Sequence, residues 1–403
     1  MKPLKNILLV SMFVAISNAQ ASPLINPDLT DLTISAETYI STGANAIVHG
    51  NVQSGTYTSV GAGPTGAPDP TVAVIHGNVD SGTSTVIGAS ARVDGNVNSG
   101  GNLVYPADGF TSMGADASVG KDIKAKTYIG AGARVKVGGS TESGTYTTFG
   151  ANSVIDGTVK HEGLLTPGAG TTINGVATTG TVPGTSGLTP PTLTSLQSSI
   201  VAQQAALEAL TATKTYATAT AAFGNVNTSW DAGVYNFDDI LSFTAGTTIN
   251  LDGNNDSSES WIFNIHNYMS LGADMTVALN DVSANSRIIW NILGNSTGAQ
   301  PAAGPDLGYA SIGAGTKFFG TILSTGYISF GADLAKASTI AGSTTQHCGG
   351  LHSAYSYVSI GATSIVGGKG CGDRPSQIPE PASVLLFGLG LFGLAGIARR
   401  KKV

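Results

Sequence analysis

The stretch Gly43–Ala62, GANAIVHGNVQSGTYTSVGA, lies without a gap on Gly313–Ala332, GAGTKFFGTILSTGYISFGA. Gly43 and Ala44 match Gly313 and Ala314, Val48 matches Phe318, Gly50 matches Gly320 and Val52 matches Ile322. Ser54 matches Ser324, Tyr57 matches Tyr327, and Val60-Gly61-Ala62 matches Phe330-Gly331-Ala332. In both copies the next Gly-Ala follows after 18 residues. Self-similarity at such a period is the signature of a solenoid, in which each repeat is one turn of a coil stacked on the next.

Outward from these two stretches, Gly-Ala recurs at Gly88, Gly114, Gly130, Gly150, Gly272 and Gly361, usually after an apolar residue and often with Ser or Thr before that. Intervals of up to 27 residues mean that loops intrude on some turns. A second mark follows the first: Val48-x-Gly50-Asn51-Val52, Val93-x-Gly95-Asn96-Val97, Ile155-x-Gly157-Thr158-Val159. Alternate apolar residues point inward from a short strand, and glycine turns the corner where a side chain would not fit. The expected fold class is therefore all-β: a β-solenoid with three short strands per coil and coils about 4.8 Å apart.

One segment departs from this rhythm. From Thr192, TLTSLQSSIVAQQAALEALTATK places Leu193, Leu196, Ile200, Leu207 and Leu210 at helical spacing, after Pro190-Pro191 and with Thr194 and Gln197 as a capping box. A helix of about 20 to 28 residues is expected, lying with its apolar stripe along one side of the solenoid.

The ends carry targeting signals. Lys2 and Lys5, an apolar run from Ile7 to Ile16 and Ala19-Gln20-Ala21 form a secretory signal peptide over 1–21. At the other end an apolar stretch from Ala382 to Ala398 precedes Arg399, Arg400, Lys401 and Lys402, enough for a hydrophobic helix that holds the exported chain in the inner membrane, basic cluster inside. Ile378, Pro379, Glu380 and Pro381, followed by that apolar run and by Arg399 and Arg400, resemble the PEP-CTERM sorting signal of Gram-negative bacteria. This resemblance implies an exosortase-type processing enzyme as partner, and release or attachment at the cell surface.

Composition narrows the function. Charged residues make up 11% of the 403 and glycines number 55, while Val, Ile, Thr and Tyr fill the intervals, which favours a long β-structure over disorder. A net charge of −6 without a basic patch gives nucleic acid nothing to hold. Cys348 and Cys371 both lie in the exported part, where a disulfide closing the last coils is expected. A zinc site from His347, Cys348, His352 and Cys371 matches no common spacing. Asp252, Asn254 and Asp256 open like a calcium loop, but Ser257 and Phe263 stand where that loop needs Gly and Glu. No metal, cofactor or catalytic residue is expected.

After the helix, DAGVYNFDDILSFTAGTTINLDGNNDSSESWIFNI (231–265), RIIWNILGN (287–295) and SIGAGTKFFGTILSTGYISFGADL (311–334) resemble the bacterial ice-binding-like family. The resemblance implies an irregular β-solenoid with a long helix alongside. The expected organisation is a signal peptide (1–21), repetitive N-terminal coils (22–185), a long helix (186–222), an ice-binding-like region (223–372) and a linker with the sorting tail (373–403).

Such a stack works through an outer wall. Thr56, Thr58, Thr83, Thr85, Thr145, Thr147, Thr171 and Thr172 fall at comparable strand positions and are the candidate rows for binding a repetitive surface, whether extracellular polysaccharide in a matrix or adhesion role, or ice. An enzyme acting on polysaccharide needs at least two converging acid or base groups, whereas charges here are scattered through turns. His49 and His76 hold the coil position that Asp94 and Asp156 hold elsewhere, which marks an exchangeable corner.

Overall fold

A computed structural model describes Leu29 and residues 31–63, 74–100, 109–180, 193–217, 222–224, 228–253, 259–282, 286–295, 307–332 and 349–367. The expected signal peptide, the sorting tail and the hydrophobic helix expected in it, Asn254, Asp256 and the Cys348–Cys371 pair lie outside the described residues.

The chain winds as a parallel β-solenoid with three walls. Wall one is a 14-stranded sheet, wall two a 13-stranded sheet, and wall three an eight-stranded sheet whose place in the C-terminal part is taken by three strands, Thr228–Asp231, Thr248–Asp252 and Thr276–Asn280. Most strands of walls one and two are three residues long with buried, half-buried, buried side chains. Extended backbone alternates sides, so the first and third residues fill the coil and the middle one faces out. On wall one Ile34, Val52, Val79, Val97 and Ile123 stack in register and are fully buried.

Gly43–Ala62 and Gly313–Ala332 fold alike. Each turns through a left-handed residue (Asn45 at φ 59°, Gly315 at φ 71°) and a positive-φ glycine (Gly50, Gly320), then forms Asn51–Ser54 or Thr321–Ser324 on wall one and Thr58–Val60 or Ile328–Phe330 on wall two. The recurring glycine has a packing cause: a Cβ on Gly61 would run into the carbonyl of Gly43 in the next rung.

The path of the chain is not a simple spiral. Wall one is ordered so that Leu32–Ala36 lies in the interior of the stack, rungs up to Ala177–Thr179 build outward to one end, and Lys214–Tyr216 starts again at the opposite end. From there the rungs wind back until Leu351–Ser353 pairs with Leu32–Ala36, Val358–Ile360 with Ile40–Thr42, and Ile365–Val366 with Ile47–Val48. The first and last rungs therefore meet in a non-covalent seam. At its centre the buried His352 Nδ1 lies 2.8 Å from Ser35 Oγ.

One helix, Leu193–Glu208, connects the two directions of winding. Its 16 residues fall short of the expected 20 to 28 because the chain is already claimed by the sheet: the Thr213 amide donates to the Val234 carbonyl, and Lys214–Tyr216 begins a strand. Leu196, Ile200 and Leu207 are buried against Leu29, Ile262, Ile289, Leu323 and Ala354, whereas Leu210 beyond the helix is exposed. Polar hooks fix the helix as well: Gln204 Nε2 donates to the Ile292 carbonyl at 2.9 Å, and Asn291 and Asn264 donate to the carbonyls of Gln204 and Leu207. Among the described residues no helix is long and apolar enough to cross a membrane.

Candidate binding wall

The eight threonines do not share one face. Thr58, Thr85 and Thr147 open wall-two strands, so they point into the coil and are completely buried. A shift of one residue exchanges faces in an extended strand, and the outward positions there belong to Ser59, Val86 and Thr148. Thr56, Thr83 and Thr145 lie at the corner before wall two, where Thr56 donates to the Thr38 carbonyl at 2.7 Å and Thr83 is buried. Thr172 is exposed on wall three, and Thr171 is half-buried in the preceding turn. An ordered outer row of these threonines is therefore replaced by a different one.

That row runs along wall two. The central outward residues, in order of stacking, are Ser242, Ser270, Ser311, Ser329, Ser359, Ser41, Ser59, Val86, Ser112, Gly130, Thr148 and Thr166. Ten of the twelve carry a hydroxyl, and the row crosses the seam without interruption. At about 4.8 Å per rung it extends roughly 50 Å.

Beside it stands an aromatic ladder, each ring two residues before its row position: Tyr268, Tyr309, Tyr327, Tyr357, Tyr39 and Tyr57, and, past Ser84, Phe110, Tyr128 and Tyr146. Tyr268–Tyr309 and Tyr309–Tyr327 stack at 4.8 Å, Tyr39–Tyr357 at 4.7 Å, and Phe110–Tyr128 and Tyr128–Tyr146 at 4.9 Å, with near-parallel rings. Ring faces are thus spent on one another, and edges with their phenol groups are what the wall presents. Burial in the ladder, then the neighbouring phenols, push Tyr39, Tyr128, Tyr309 and Tyr327 above the ordinary phenol range. These phenols stay neutral donors. The signal for both rows was in the sequence as aromatic-x-Ser two residues ahead of the Gly of most Gly-Ala pairs.

Wall one differs in kind. Its outward residues in the N-terminal rungs are Gln53, Asp80, Asn98, Lys124, Glu142 and Lys160. Burial raises the Asp80 carboxyl above its usual range against the pull of the 2.6 Å hydrogen bond from Asn98 Nδ2. At the corner between walls three and one, His49 and His76 stack at 4.6 Å and His76 Nδ1 lies 2.7 Å from Asp94 Oδ2. Burial, then the charge His76 would carry, hold His49 below the ordinary imidazole range. His352, once weighed as a zinc ligand, is committed to the seam. Among the described residues no three His, Cys, Asp or Glu side chains are placed to share a metal ion.

The profile of the family described as Ice-binding-like matches residues 141–365, more than half of the chain, and the PEP-CTERM protein-sorting motif matches 377–402. The first match takes in both ends of the stack, and the rungs from Leu32 to Val137 lie between them. No curated protein matches the chain. Among solved structures, it is similar to an ice binding protein from an Antarctic biological consortium (16% identity, TM-score 0.32, 56% of this chain and 86% of that one). It is similar too to an ice-binding protein from the Antarctic ascomycete Antarctomyces psychrotrophicus (18%, 0.31, 56% and 91%) and to one from an Antarctic bacterium of the Flavobacteriaceae (11%, 0.29, 84% and 97%).

Proposed function

The chain belongs to the ice-binding-like family, and from that premise we propose that it is an exported, non-enzymatic protein whose wall two binds an extended repeating surface, ice foremost. The observation that carries this is the row of ten hydroxyls from Ser242 to Thr166. Ice recognition asks for a stiff, uncharged face on which bound water is held at regular intervals. Wall two supplies one interval from the stacking of rungs, a second from the separation of the serine row and the phenol row, and no charged side chain in either. Rigidity comes from the backbone ladder, which fixes the hydroxyls before any ligand arrives and so lowers the ordering cost of binding.

A second reading is favoured by the sorting motif at 377–402: display at the cell surface, where the same wall engages neutral exopolysaccharide as a matrix or adhesion protein. In this reading the apolar run to Ala398 and the basic cluster after it hold the exported chain in the inner membrane until an exosortase-type enzyme cleaves near Pro379-Glu380-Pro381.

One experiment addresses both. Ser311→Lys and Ser329→Lys place two charges in the middle of the row at half-exposed positions, so the fold is expected to survive, and Lys124→Glu on wall one serves as control. The double variant is expected to lose ice-recrystallisation inhibition by about tenfold or more, as the removal of central anchors does at other interfaces. Equal activity in the double variant would remove wall two from the mechanism. An inactive parent chain whose migration is retarded in polysaccharide gels would replace ice by the matrix ligand.

A further inference from the structure

The two ends of the stack are finished differently. At the end that begins with Lys214–Tyr216, Trp230 is buried and donates through Nε1 to Tyr216 Oη at 3.0 Å, Tyr216 stacks on Phe237 at 4.8 Å, and Lys214 Nζ sits 4.7 Å from the Tyr216 ring centroid. That end carries a polar-edged lid. At the other end the last rung, Leu165–Pro167, Thr172–Ile173 and Ala177–Thr179, has, among the described residues, a neighbour on one side only in each wall. Its coil-filling residues are uncovered: Leu165 and Ile173 are half-exposed and Ala177 is exposed, although Thr147, Ile155 and Val159 one rung inward are fully buried. Leu164 at 67% and Val176 at 63% are the most exposed of the described large hydrophobic residues.

Solenoids need a cap at each end, and edge strands are ordinarily protected by charge. From Gly163 to Gly180 there is no charged residue, whereas the preceding rung carries Asp156, Lys160 and Glu162. The segment that follows this rung has little length to spare for a cap. What leaves Gly180 has to reach Leu193, and the helix starts at the seam, where Leu196 packs with Leu29 and Ala354. Six to seven rungs separate these points, about 30 Å, and twelve residues span at most about 40 Å.

We propose that this last rung is a self-association surface, on which a second copy of the chain docks end to end about a two-fold axis, with Ala177–Thr179 pairing antiparallel to its own counterpart. The hydrogen-bond pattern selects this strand. The Leu164 carbonyl and the Gly168 amide bond to the preceding rung, so the nitrogen of Pro167 faces the open side and has no hydrogen to give. On wall one the Val176 carbonyl and the Gly180 amide bond to the preceding rung, which turns the amides and carbonyls of Ala177 and Thr179 outward. In a symmetric pair centred on Thr178, Ala177 of each copy exchanges both bonds with Thr179 of the other. The absence of charge means that bringing two identical ends together meets no like-charge repulsion.

The full chain, kept in mild detergent for its apolar tail, is expected to sediment with twice the protein mass at concentrations of about 10 µM. Val176→Lys and Ala177→Pro should each return the monomer mass with an unchanged far-UV spectrum, since the Ala177 amide faces away from the preceding rung. Thr178→Cys should give a covalent dimer on a non-reducing gel that the parent chain lacks. A parent chain of monomer mass overturns the proposal, as does a dimer that persists in both variants, because the contact then lies elsewhere. A dimer that Thr178→Cys fails to cross-link overturns the strand pairing.

Discussion

Mostly small side chains fill the rungs from Leu32 to Thr179 and aromatic rings are prominent in those from Tyr235 to Phe330, yet the two halves continue walls one and two in register. In the first half the corner between walls one and two holds a chain of buried hydroxyls, Ser54–Thr58–Ser81–Thr85–Ser99–Thr111, each 2.8 to 2.9 Å from the next. In the second half Phe263 and Trp290 stack at 4.2 Å, with Tyr235 and Phe318 continuing the stack. Outward on wall one the contrast repeats. Ile262, Ile289 and Leu323 call for a cover and receive the helix, whereas Asp80, Asn98 and Lys124 face water and need none. The difference teaches that rung spacing fixes the walls while rung content is free to change.

The strongest way to break this contrast is Trp290→Ala. The indole is fully buried, stacks on Phe263 and donates from Nε1 to the Phe319 carbonyl at 2.8 Å. Its loss leaves a large cavity and is expected to cost about 3–5 kcal/mol, against about 0.5–1.5 for Ile123→Val in the first half. Denaturant unfolding followed by tryptophan-independent circular dichroism measures both. Equal costs would mean that the aromatic core contributes no more than the small one.

Legibility followed the same division. The first half repeats because small coils leave no room at the corner: the glycine there is demanded by the backbone of the rung beside it, with Gly132 in place of Gly130 in its rung, so the period is written into the chain. The second half hid much of its period behind longer rungs, and where the match of Gly313–Ala332 to Gly43–Ala62 did not reach, the family resemblance located it. The helix was visible through Leu196, Ile200 and Leu207 but not its end, which is set by the Thr213 bond to a strand not yet formed in the local sequence. Thr58, Thr85 and Thr147, read as outward, face into the coil one residue from the outward positions. Threonine's β-propensity says that a residue sits in a strand, not which side it faces, and the inward Thr58, Thr85 and Thr147 satisfied their hydroxyls on Ser54, Ser81, Ser99 and Ser143. The seam has no local mark at all, since Ser35 and His352 are 317 positions apart.

The seam offers the next test, because it decides whether the halves act as one body. Ser35→Ala removes the hydroxyl that lies 2.8 Å from the buried His352 Nδ1, and the loss of one hydrogen bond costs about 0.5–1.5 kcal/mol. A single unfolding transition shifted to lower denaturant is the expected result. Two separated transitions in the variant would show that the halves fold independently and that the shared walls are only abutted.

The smallest expected effect sharpens the contrast at a single hydroxyl. Thr85 Oγ1 donates to Ser81 Oγ and accepts from Ser99 Oγ, both at 2.9 Å, with the side chain fully buried. Thr85→Val keeps the shape and removes the link. Ser81 retains Thr58 and Ser99 retains Thr111, so neither neighbour is stranded and the cost should be about 1 kcal/mol. Adding Ser81→Ala, Ser99→Ala and Thr111→Val to Thr85→Val is expected to recover part of that cost, because Ser54 and Thr58 keep each other and no hydroxyl of the chain is then left unpaired. A loss well above this from Thr85→Val alone would make the hydroxyl chain a cooperative unit, and the first half would then be held by its polar corner as the second is by its rings.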